Sequence, residues 1–294
     1  MFWSIAPYPF SPFLFPNTKL QEAQSLAKQN QAFPPAIVVF DIDGVIRDVG
    51  GSYRRALADT VEQFTQGAYR PSATDIDALK AEGHWNNDWE GSQELVYRHF
   101  EAQGVERSHL NLNYDDIVAF FQSRYRGPDP QHWTGYICQE PLLLNADYFD
   151  LLTQAGIPWG FFSGATRGSA SYVLEKRLGL RSPVLVAMED APGKPDPAGL
   201  IEVVQQLEPF GASSTPVLYL GDTVADLHTV QNASRIDLSR RWIGVGILPP
   251  HAQTTAEYSV AYTTNLNNAG AAVVLANVKN LTLDYIKKLV SSEV

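Results

Sequence analysis

The sequence contains a single cysteine, Cys138, so the chain can form no internal disulfide. A lone thiol is typical of a reduced protein, and we therefore predict a cytoplasmic location. No histidine falls into a recognisable motif with Cys138, which leaves a cysteine nucleophile with little support. The 6 histidines also lack metal-ligand spacing, so we expect no zinc site.

Basic residues are scarce as well. The chain has 22 Lys and Arg against 32 Asp and Glu, a formal net charge of −10. Nonspecific nucleic-acid binding needs clustered basic side chains against the phosphates, so we expect no nucleic-acid partner. A small anion can still bind locally, provided that a metal ion and a few cations offset the negative field at the site.

Long apolar runs are missing too. No stretch approaches the roughly 20 apolar residues that span a bilayer, so we expect no membrane partner. The aromatic N-terminus resembles an export signal only briefly, because it lacks a basic segment and four prolines interrupt residues 1–20. We expect residues 1–35 to form an arm that packs its aromatic side chains on the rest of the fold.

Short apolar runs without alternation predict strands that are buried on both faces. A length of 294 residues with 45% hydrophobic residues suits one large or two ordinary globular domains. Helical patterns separate the runs, and the last part of the chain suits an edge strand and a final helix. Alternating strands and helices predict an α/β fold with a Rossmann-like parallel sheet. The predicted strands are residues 36–40, 157–162, 184–188, 217–220 and 242–247.

About a hundred residues after the first strand break this alternation. They contain helical patterns that begin near Ser52, Thr74, Ser92 and Asn113, and no convincing strand. We therefore predict an all-helical domain over residues 50–141, inserted into an α/β core of residues 36–49 and 142–294. Such an insert can close over the C-terminal edge of the strands, where open α/β sheets bind ligands.

Two carboxylate side chains directly follow the first predicted strand. Asp41 and Asp43 point roughly the same way, because side chains alternate along a strand. Burying charge beside four apolar residues costs several kcal/mol unless a cation compensates it. An ordinary Asp-Gly turn is the alternative for this motif on its own.

The next two junctions each supply a group that could bind an anion. Ser163 ends a strand, and its hydroxyl could converge with the backbone N–H of Gly164 on a phosphate oxygen. The plain alternative for Ser163 is a helix N-cap. Lys194 lies in a loop that Pro195 and Pro197 stiffen, where it could neutralise a phosphate, although a solvated loop lysine is the alternative.

Asp222 and Asp226 follow the fourth predicted strand, one helical turn apart. On their own they could be an N-cap and a first-turn acid that the helix dipole favours. The four junctions together supply Asp-x-Asp, Ser, Lys and Asp-x-x-x-Asp in order, all at one edge of the sheet. In this order and spacing the sequence resembles the haloacid dehalogenase superfamily, with a helical cap of the subfamily I type inserted after the first motif.

The resemblance implies a Mg²⁺-dependent phosphatase that acts on a small phosphorylated substrate. Asp41 would attack phosphorus and form an aspartyl-phosphate, and Asp43 would protonate the leaving oxygen and later activate water. Mg²⁺ would lie between the Asp41 carboxylate, the Asp43 backbone carbonyl and the Asp222 carboxylate. Asp226 would support the metal site or orient Lys194.

The resemblance also implies that Ser163, Gly164 and Lys194 hold the phosphoryl oxygens. Arg54, or its neighbour Arg55, could reach the phosphate or the rest of the substrate. The segment 84–89, which carries Trp85 and Trp89, could stack on a sugar or a nucleotide, or simply pack inside the cap.

The sequence is also compatible with other activities of the same fold. A phosphomutase would return the phosphoryl group to its substrate, and the sequence does not exclude it. A haloacid hydrolase is disfavoured by Asp43, since a halide leaving group needs no proton. A phosphonate hydrolase is disfavoured because no early cap lysine is obviously placed for a Schiff base. A noncatalytic binding protein would be expected to have lost at least one of the four charged motif residues.

Overall fold

The computed structural model describes residues 36–85, 87–208 and 214–291. The predicted N-terminal arm and Asn86 of the aromatic segment lie outside the described residues. In the described ranges, parallel strands form one sheet with the order β3-β2-β1-β4-β5-β6, which confirms the predicted fold class. The strands are β1 Ile37–Phe40, β2 Trp159–Phe162, β3 Leu185–Val186, β4 Val217–Gly221, β5 Trp242–Ile247 and β6 Val273–Leu275.

The strands form where apolar runs can be buried on both faces. All four residues of β1 are buried, and all five of β4. The prediction placed the start of the second strand two residues too early, and β3 is only Leu185–Val186 within the predicted run 184–188. The predicted edge strand is β6, which pairs with β5.

Helices connect the strands and cover the sheet. Four of them, α1 to α4, lie within the predicted insert of residues 50–141, and the described part of that stretch contains no strand, as predicted. The helices are α1 Tyr53–Phe64, α2 Ala73–Ala81, α3 Asp88–Glu101, α4 Tyr114–Tyr125, α5 Ala146–Gln154, α6 Arg167–Ser171 with a π-helical continuation Tyr172–Arg177, α7 Ala198–Leu207, α8 Val224–Ile236, α9 Ala256–Asn268 and α10 Leu283–Ser291.

The structure corrects the start of α3. We expected Ser92 to begin this helix, but the N-cap is Asn87, whose side chain accepts hydrogen bonds from the N–H groups of Trp89 and Glu90. Ser92 lies inside the helix, where its hydroxyl donates to the carbonyl of Asp88 at 2.7 Å. Both residue types cap helices well, so the sequence offered two competing starts.

Helix α9 was not predicted. Leu266 is its only buried residue, so it has almost no apolar stripe for a periodicity argument to find. Its N-cap Thr255 accepts a hydrogen bond from the N–H of Tyr258 at 3.2 Å.

The described residues form one compact unit. The division into a core and a cap at residues 50 and 141 therefore stays a prediction. None of the helices in the described ranges combines the length and the apolar character that a bilayer crossing requires.

The strand order positions the site. β1 lies between β2 and β4, and Phe40 is in register with Phe161 on one side and Leu220 on the other. The residues that follow these three strands therefore emerge together at the C-terminal edge. This is the point where open α/β sheets bind ligands.

Candidate active site

Three of the predicted site residues lie at adjacent strand ends and are buried. The N–H of Asp41 donates to the carbonyl of Leu220 at 2.8 Å, which continues the β1–β4 pairing by one residue. The N–H of Ser163 donates to the carbonyl of Val186 at 3.0 Å. Asp222 follows Gly221, the last residue of β4. The sheet thus brings these side chains together without any contribution from the helical insert.

Lys194 is buried between two carboxylates. Its Nζ lies 2.7 Å from Oδ1 of Asp41 and 2.6 Å from Oδ1 of Asp226. Its ammonium also lies 5.3 Å from the ring centre of Phe162 and 5.4 Å from that of Tyr219. The loop lysine is therefore not solvated, and its charge is directed at the end of β1.

Asp226 is surrounded by donors. Besides Lys194, the Tyr219 hydroxyl lies 3.0 Å from Oδ1, while the N–H and hydroxyl of Thr223 donate to Oδ2 at 3.0 and 2.6 Å. Thr223, and not Asp222, is the N-cap of α8, and Asp226 completes its capping box. Asp226 thus holds Lys194 and the start of the helix at once.

The carboxylate of Asp222 has a different environment. Among the described residues no hydrogen bond or ion pair reaches it, although it is 2% exposed. Burial raises the pKa of Asp222 well above its usual range, and the charges of Asp226 and Asp41 raise it further. Arg54 and Lys194 act in the opposite direction. A buried carboxylate without a donor is suited to a cation.

Asp41, Asp222 and Asp226 each present one carboxylate oxygen, and these oxygens lie within 4.8 Å of one another. Oxygen ligands at this spacing suit a hard divalent cation such as Mg²⁺. Gly44 makes room for the group, because a Cβ at that position would lie 2.0 Å from Oδ2 of Asp222. Its φ of 73° also favours glycine.

Opposing effects set the charges at the end of β1. Burial raises the pKa of Asp41 to about 7, and Lys194 works against this shift while Asp226 and Asp43 add to it. Burial would lower the pKa of Lys194, but the charges of Asp226 and Asp41 outweigh burial and raise it. Lys194 is therefore a fixed positive charge.

Ser163 is not a helix N-cap. The N-cap of α6 is Thr166, whose side chain accepts a hydrogen bond from the N–H of Ser169. The Ser163 hydroxyl accepts a hydrogen bond from the N–H of Ala165 at 3.1 Å, and both Ser163 and Gly164 line the cavity above Asp41. The hydroxyl is thus held at the cavity wall, where it can still donate to an anion.

Asp43 also lines this cavity, but its carboxylate is held from behind by a residue that the sequence analysis missed. Arg47 donates from Nε to Oδ1 of Asp43 at 2.6 Å and from Nη1 to Oε2 of Glu140 at 2.8 Å. Burial raises the pKa of Glu140 to about 7, although Arg47 lowers it in part. Nothing in the local sequence marks Arg47, because Glu140 is distant along the chain.

The cavity next to Asp41 is small and is bordered on one side by the helical insert. Its volume is about 60 Å³, room for only a few water molecules, since one water needs about 10–15 Å³. Helices α1, α2 and α4, together with the start of α3, provide its far wall. The insert residues in that wall are Tyr53, Lys80, Asn87, Asp88, Trp89, Phe121, Gln122 and Tyr125.

The structure separates the two tryptophans of the aromatic segment. Trp89 lines the cavity, whereas Trp85 does not and instead donates from its ring N–H to Glu82 at 2.7 Å. Arg54 is not in the cavity wall either, because it pairs with Asp77 and donates to the carbonyl of Ala73. Its charge still lowers the pKa of Asp222.

Lys80 is a cap lysine that the sequence analysis did not identify. It lines the cavity, and its Nζ lies 2.7 Å from Oδ1 of Asp88. Its position on α2 gave no signal, because the direction in which α2 faces depends on how the insert folds over the sheet.

Comparisons with known proteins identify the family of the chain. The model of the family described as haloacid dehalogenase-like hydrolase matches residues 35–233, more than half of the chain. Over 261 residues the chain is 27% identical to an imidazoleglycerol-phosphate dehydratase of Phytophthora nicotianae, a match that covers 87% of this chain and 53% of that protein. The chain thus spans about half the length of this curated relative.

Solved structures show the same fold. A phosphonoacetaldehyde hydrolase like protein from Oleispira antarctica has a TM-score of 0.64 at 17% identity, covering 88% of this chain and 95% of that one. A hydrolase from Deinococcus radiodurans with bound phosphate and sodium has a TM-score of 0.57 at 18% identity, covering 88% and 98%. At these identities the likeness extends to the fold alone.

Proposed function

Because the chain belongs to the haloacid dehalogenase-like hydrolase family, we propose that it is a Mg²⁺-dependent phosphatase that hydrolyses a small phosphorylated metabolite. The observation that carries this proposal is the pairing of buried Asp41 with Lys194 at 2.7 Å, beside the carboxylate of Asp222. A nucleophile, a fixed cation and an acidic group for a metal meet at one end of β1.

Asp41 and Asp43 divide the chemistry. An oxygen of Asp41 attacks phosphorus, the bond from phosphorus to the leaving oxygen breaks, and Asp43 gives that oxygen a proton. Asp43 then takes a proton from a water that attacks the aspartyl-phosphate. The bond between phosphorus and Asp41 breaks, which releases phosphate and restores both carboxyl groups.

The other site residues hold the transferring group. Lys194 offsets the charge of Asp41 and of the phosphoryl oxygens, while the Ser163 hydroxyl and the N–H of Gly164 donate to those oxygens. The carboxylates of Asp41 and Asp222 and the backbone carbonyl of Asp43 would hold Mg²⁺, which would supply Lewis-acid stabilisation of the phosphoryl charge.

The cavity favours a small leaving group. The cavity next to Asp41 measures about 60 Å³, so it holds little more than the phosphoryl group, and a neighbouring cavity of about 300 Å³, which Asn87, Ser163, Gly164 and Lys194 also line, can hold the leaving group. The wall contributed by the insert contains amides, a carboxylate and aromatic rings, so it can pack a short carbon chain and bind its hydroxyl groups. Asn87, Gln122 and Trp89 are the residues that we expect to contact the leaving group.

Lys80 does not favour a Schiff-base mechanism. Its Nζ lies 2.7 Å from the carboxylate of Asp88, so the amine is already paired within the insert. A phosphomutase stays the second candidate, since it would use the same residues and return the phosphoryl group to its substrate. The cytoplasmic location also stays a prediction.

A screen of phosphorylated metabolites, with free phosphate as the readout, tests the function. The panel should include imidazoleglycerol phosphate, because the curated relative is named for it. We expect Mg²⁺-dependent phosphate release from at least one small substrate. A mutase would convert its substrate to an isomer without releasing phosphate in proportion.

Asp41→Asn is the matching variant. It is isosteric, so we expect an intact fold and a kcat below about a hundredth of the unaltered value, because general acid–base catalysis alone contributes only about 10²–10⁴. Asp150→Asn, on the exposed side of α5, is the control and should leave kcat unchanged. Retention of most of the activity by Asp41→Asn would contradict the role of Asp41 as nucleophile.

A further inference from the structure

The guanidinium of Arg47 is fully buried, and the proposed chemistry gives it no role. It lies between two carboxylates, Asp43 at 2.6 Å and Glu140 at 2.8 Å, and 5.9 Å from the ring centre of Tyr125. Burying an arginine costs several kcal/mol, which only well-placed partners can offset. An apolar side chain would fill the same space at no such cost. The charge of Arg47 therefore requires an explanation other than packing.

Arg47 and Glu140 lie on the two segments of chain that connect the helical insert to the sheet. Backbone hydrogen bonds join these segments on both sides of the pair, from the N–H of Asp48 to Pro141 and from the N–H of Leu143 to Ile46, each at 2.8 Å. The Arg47–Glu140 pair is thus anchored in a short stretch of paired backbone. The pair can therefore serve as a rigid support for the group that Arg47 contacts on the side away from Glu140.

On that side Arg47 contacts Asp43. The Asp43 carboxylate is 22% exposed and faces the cavity, so it is held only where Arg47 reaches it. Nε and Nη2 of Arg47 lie 2.6 and 2.5 Å from the same oxygen, Oδ1 of Asp43, so the rigid planar guanidinium approaches that oxygen with two of its nitrogens. Lysine would supply the charge but not the direction.

We propose that Arg47, held in place by Glu140, is a positioning residue that aims the carboxyl group of Asp43 at the leaving-group oxygen. The inference rests on the proposed function, because it assigns Arg47 to the proton transfer of that reaction. A displacement of about 1 Å at a catalytic group can reduce the rate about 10²-fold, so loss of the fork has a measurable effect.

The test compares two probes that differ in their need for a proton. The leaving group of phenyl phosphate is a phenol with a pKa of about 10, like the tyrosine side chain. That of 4-nitrophenyl phosphate is far more acidic and needs little protonation. For Arg47→Lys we expect kcat/KM to fall about 10- to 100-fold with phenyl phosphate and less than about threefold with 4-nitrophenyl phosphate.

Two further variants separate positioning from general damage. Glu140→Gln keeps Arg47 but weakens its support, so it should show the same selective loss to a smaller degree, even if Arg47→Lys does not fold. Arg240→Lys is the matched control. The Arg240 side chain, 6% exposed, also lies between two carboxylates, Glu208 at 3.0 Å and Asp237 at 2.7 Å, and 5.8 Å from the ring centre of Trp242. Arg240→Lys should change kcat/KM by the same factor with both probes.

Equal losses with both probes for Arg47→Lys and Glu140→Gln would overturn the inference and leave Arg47 a structural residue. Asp43→Asn distinguishes this result from failure of the proposed function. If Asp43→Asn shows the selective loss and the Arg47 and Glu140 variants do not, only the positioning role is wrong. If Asp43→Asn affects both probes equally, or the unaltered protein hydrolyses neither, the proposed function and the inference fall together.

Discussion

Asp226 and Asp222 are one helical turn apart, and the structure gives them opposite energetic roles. Asp226 accepts hydrogen bonds from Thr223 and forms an ion pair with Lys194. In the described part of the chain, no donor contacts the carboxylate of Asp222. We therefore expect the isosteric changes Asp226→Asn and Asp222→Asn to have opposite effects on a metal-free protein. The comparison asks which acid holds Lys194 and which holds the metal.

The magnitude follows from what each change leaves behind. Removing one partner of a buried ion pair costs about 3–5 kcal/mol, because the other charge remains buried. Asp226→Asn should lower the free energy of unfolding by this amount, a large part of the roughly 5–15 kcal/mol that stabilises a typical domain. Asp222→Asn removes a buried carboxyl group that has no donor and has like charges nearby, so it should be neutral or stabilising.

Urea unfolding in EDTA, followed by tryptophan fluorescence, measures these differences. Repeating it with Mg²⁺ tests the metal, since saturation to about 100 times Kd adds about 2.7 kcal/mol to the free energy of unfolding. The unaltered protein and Asp226→Asn should gain this stability, and Asp222→Asn should not. If Asp226→Asn were as stable as the unaltered protein in EDTA and also lost the Mg²⁺ gain, Asp226 would be a metal ligand and our reasoning would be refuted.

Two more results are expected. In EDTA the free energy of unfolding should fall as the pH rises from about 4 to about 7, because the raised pKa of Asp41, about 7, and that of Asp222 let the folded protein keep protons that the unfolded chain has released. The gain from Mg²⁺ should grow over the same range, since protons compete with the metal, and a flat profile in differential scanning fluorimetry would contradict this. Trp89→Ala should lower kcat/KM for the natural substrate, while Trp85→Ala, the matched control outside the cavity, should not; equal effects would show that neither ring contacts the substrate.

The sequence by itself determined the sheet and the groups at its edge. Buried strands are short local patterns, and polar residues directly after a parallel strand must emerge at its C-terminal end. The positions of Asp41, Ser163 and Asp222 follow from this, since each depends only on the residues beside it. The inserted helices followed from local caps such as Asn113 and stops such as Gly127.

Only the tertiary structure decided what those groups contact. The sequence left Asp226 suited to a metal or to Lys194, and the structure shows that Lys194, Tyr219 and Thr223 all contact its carboxylate. The pairing of Arg47 with Glu140 joins residues 93 positions apart, which no local pattern can reveal. Charge and burial at a site depend on such distant partners.

The wall of the cavity was the least predictable part. The sequence does not distinguish Trp85 from Trp89, yet Trp89, in the first turn of α3, lines the cavity, whereas Trp85, which precedes the helix, donates to Glu82. Arg54 was expected to reach substrate, and Asp77 holds it instead. Which side chains enter the cavity depends on the angle at which the insert lies over the sheet, and that angle is set by packing between helices far apart in the chain.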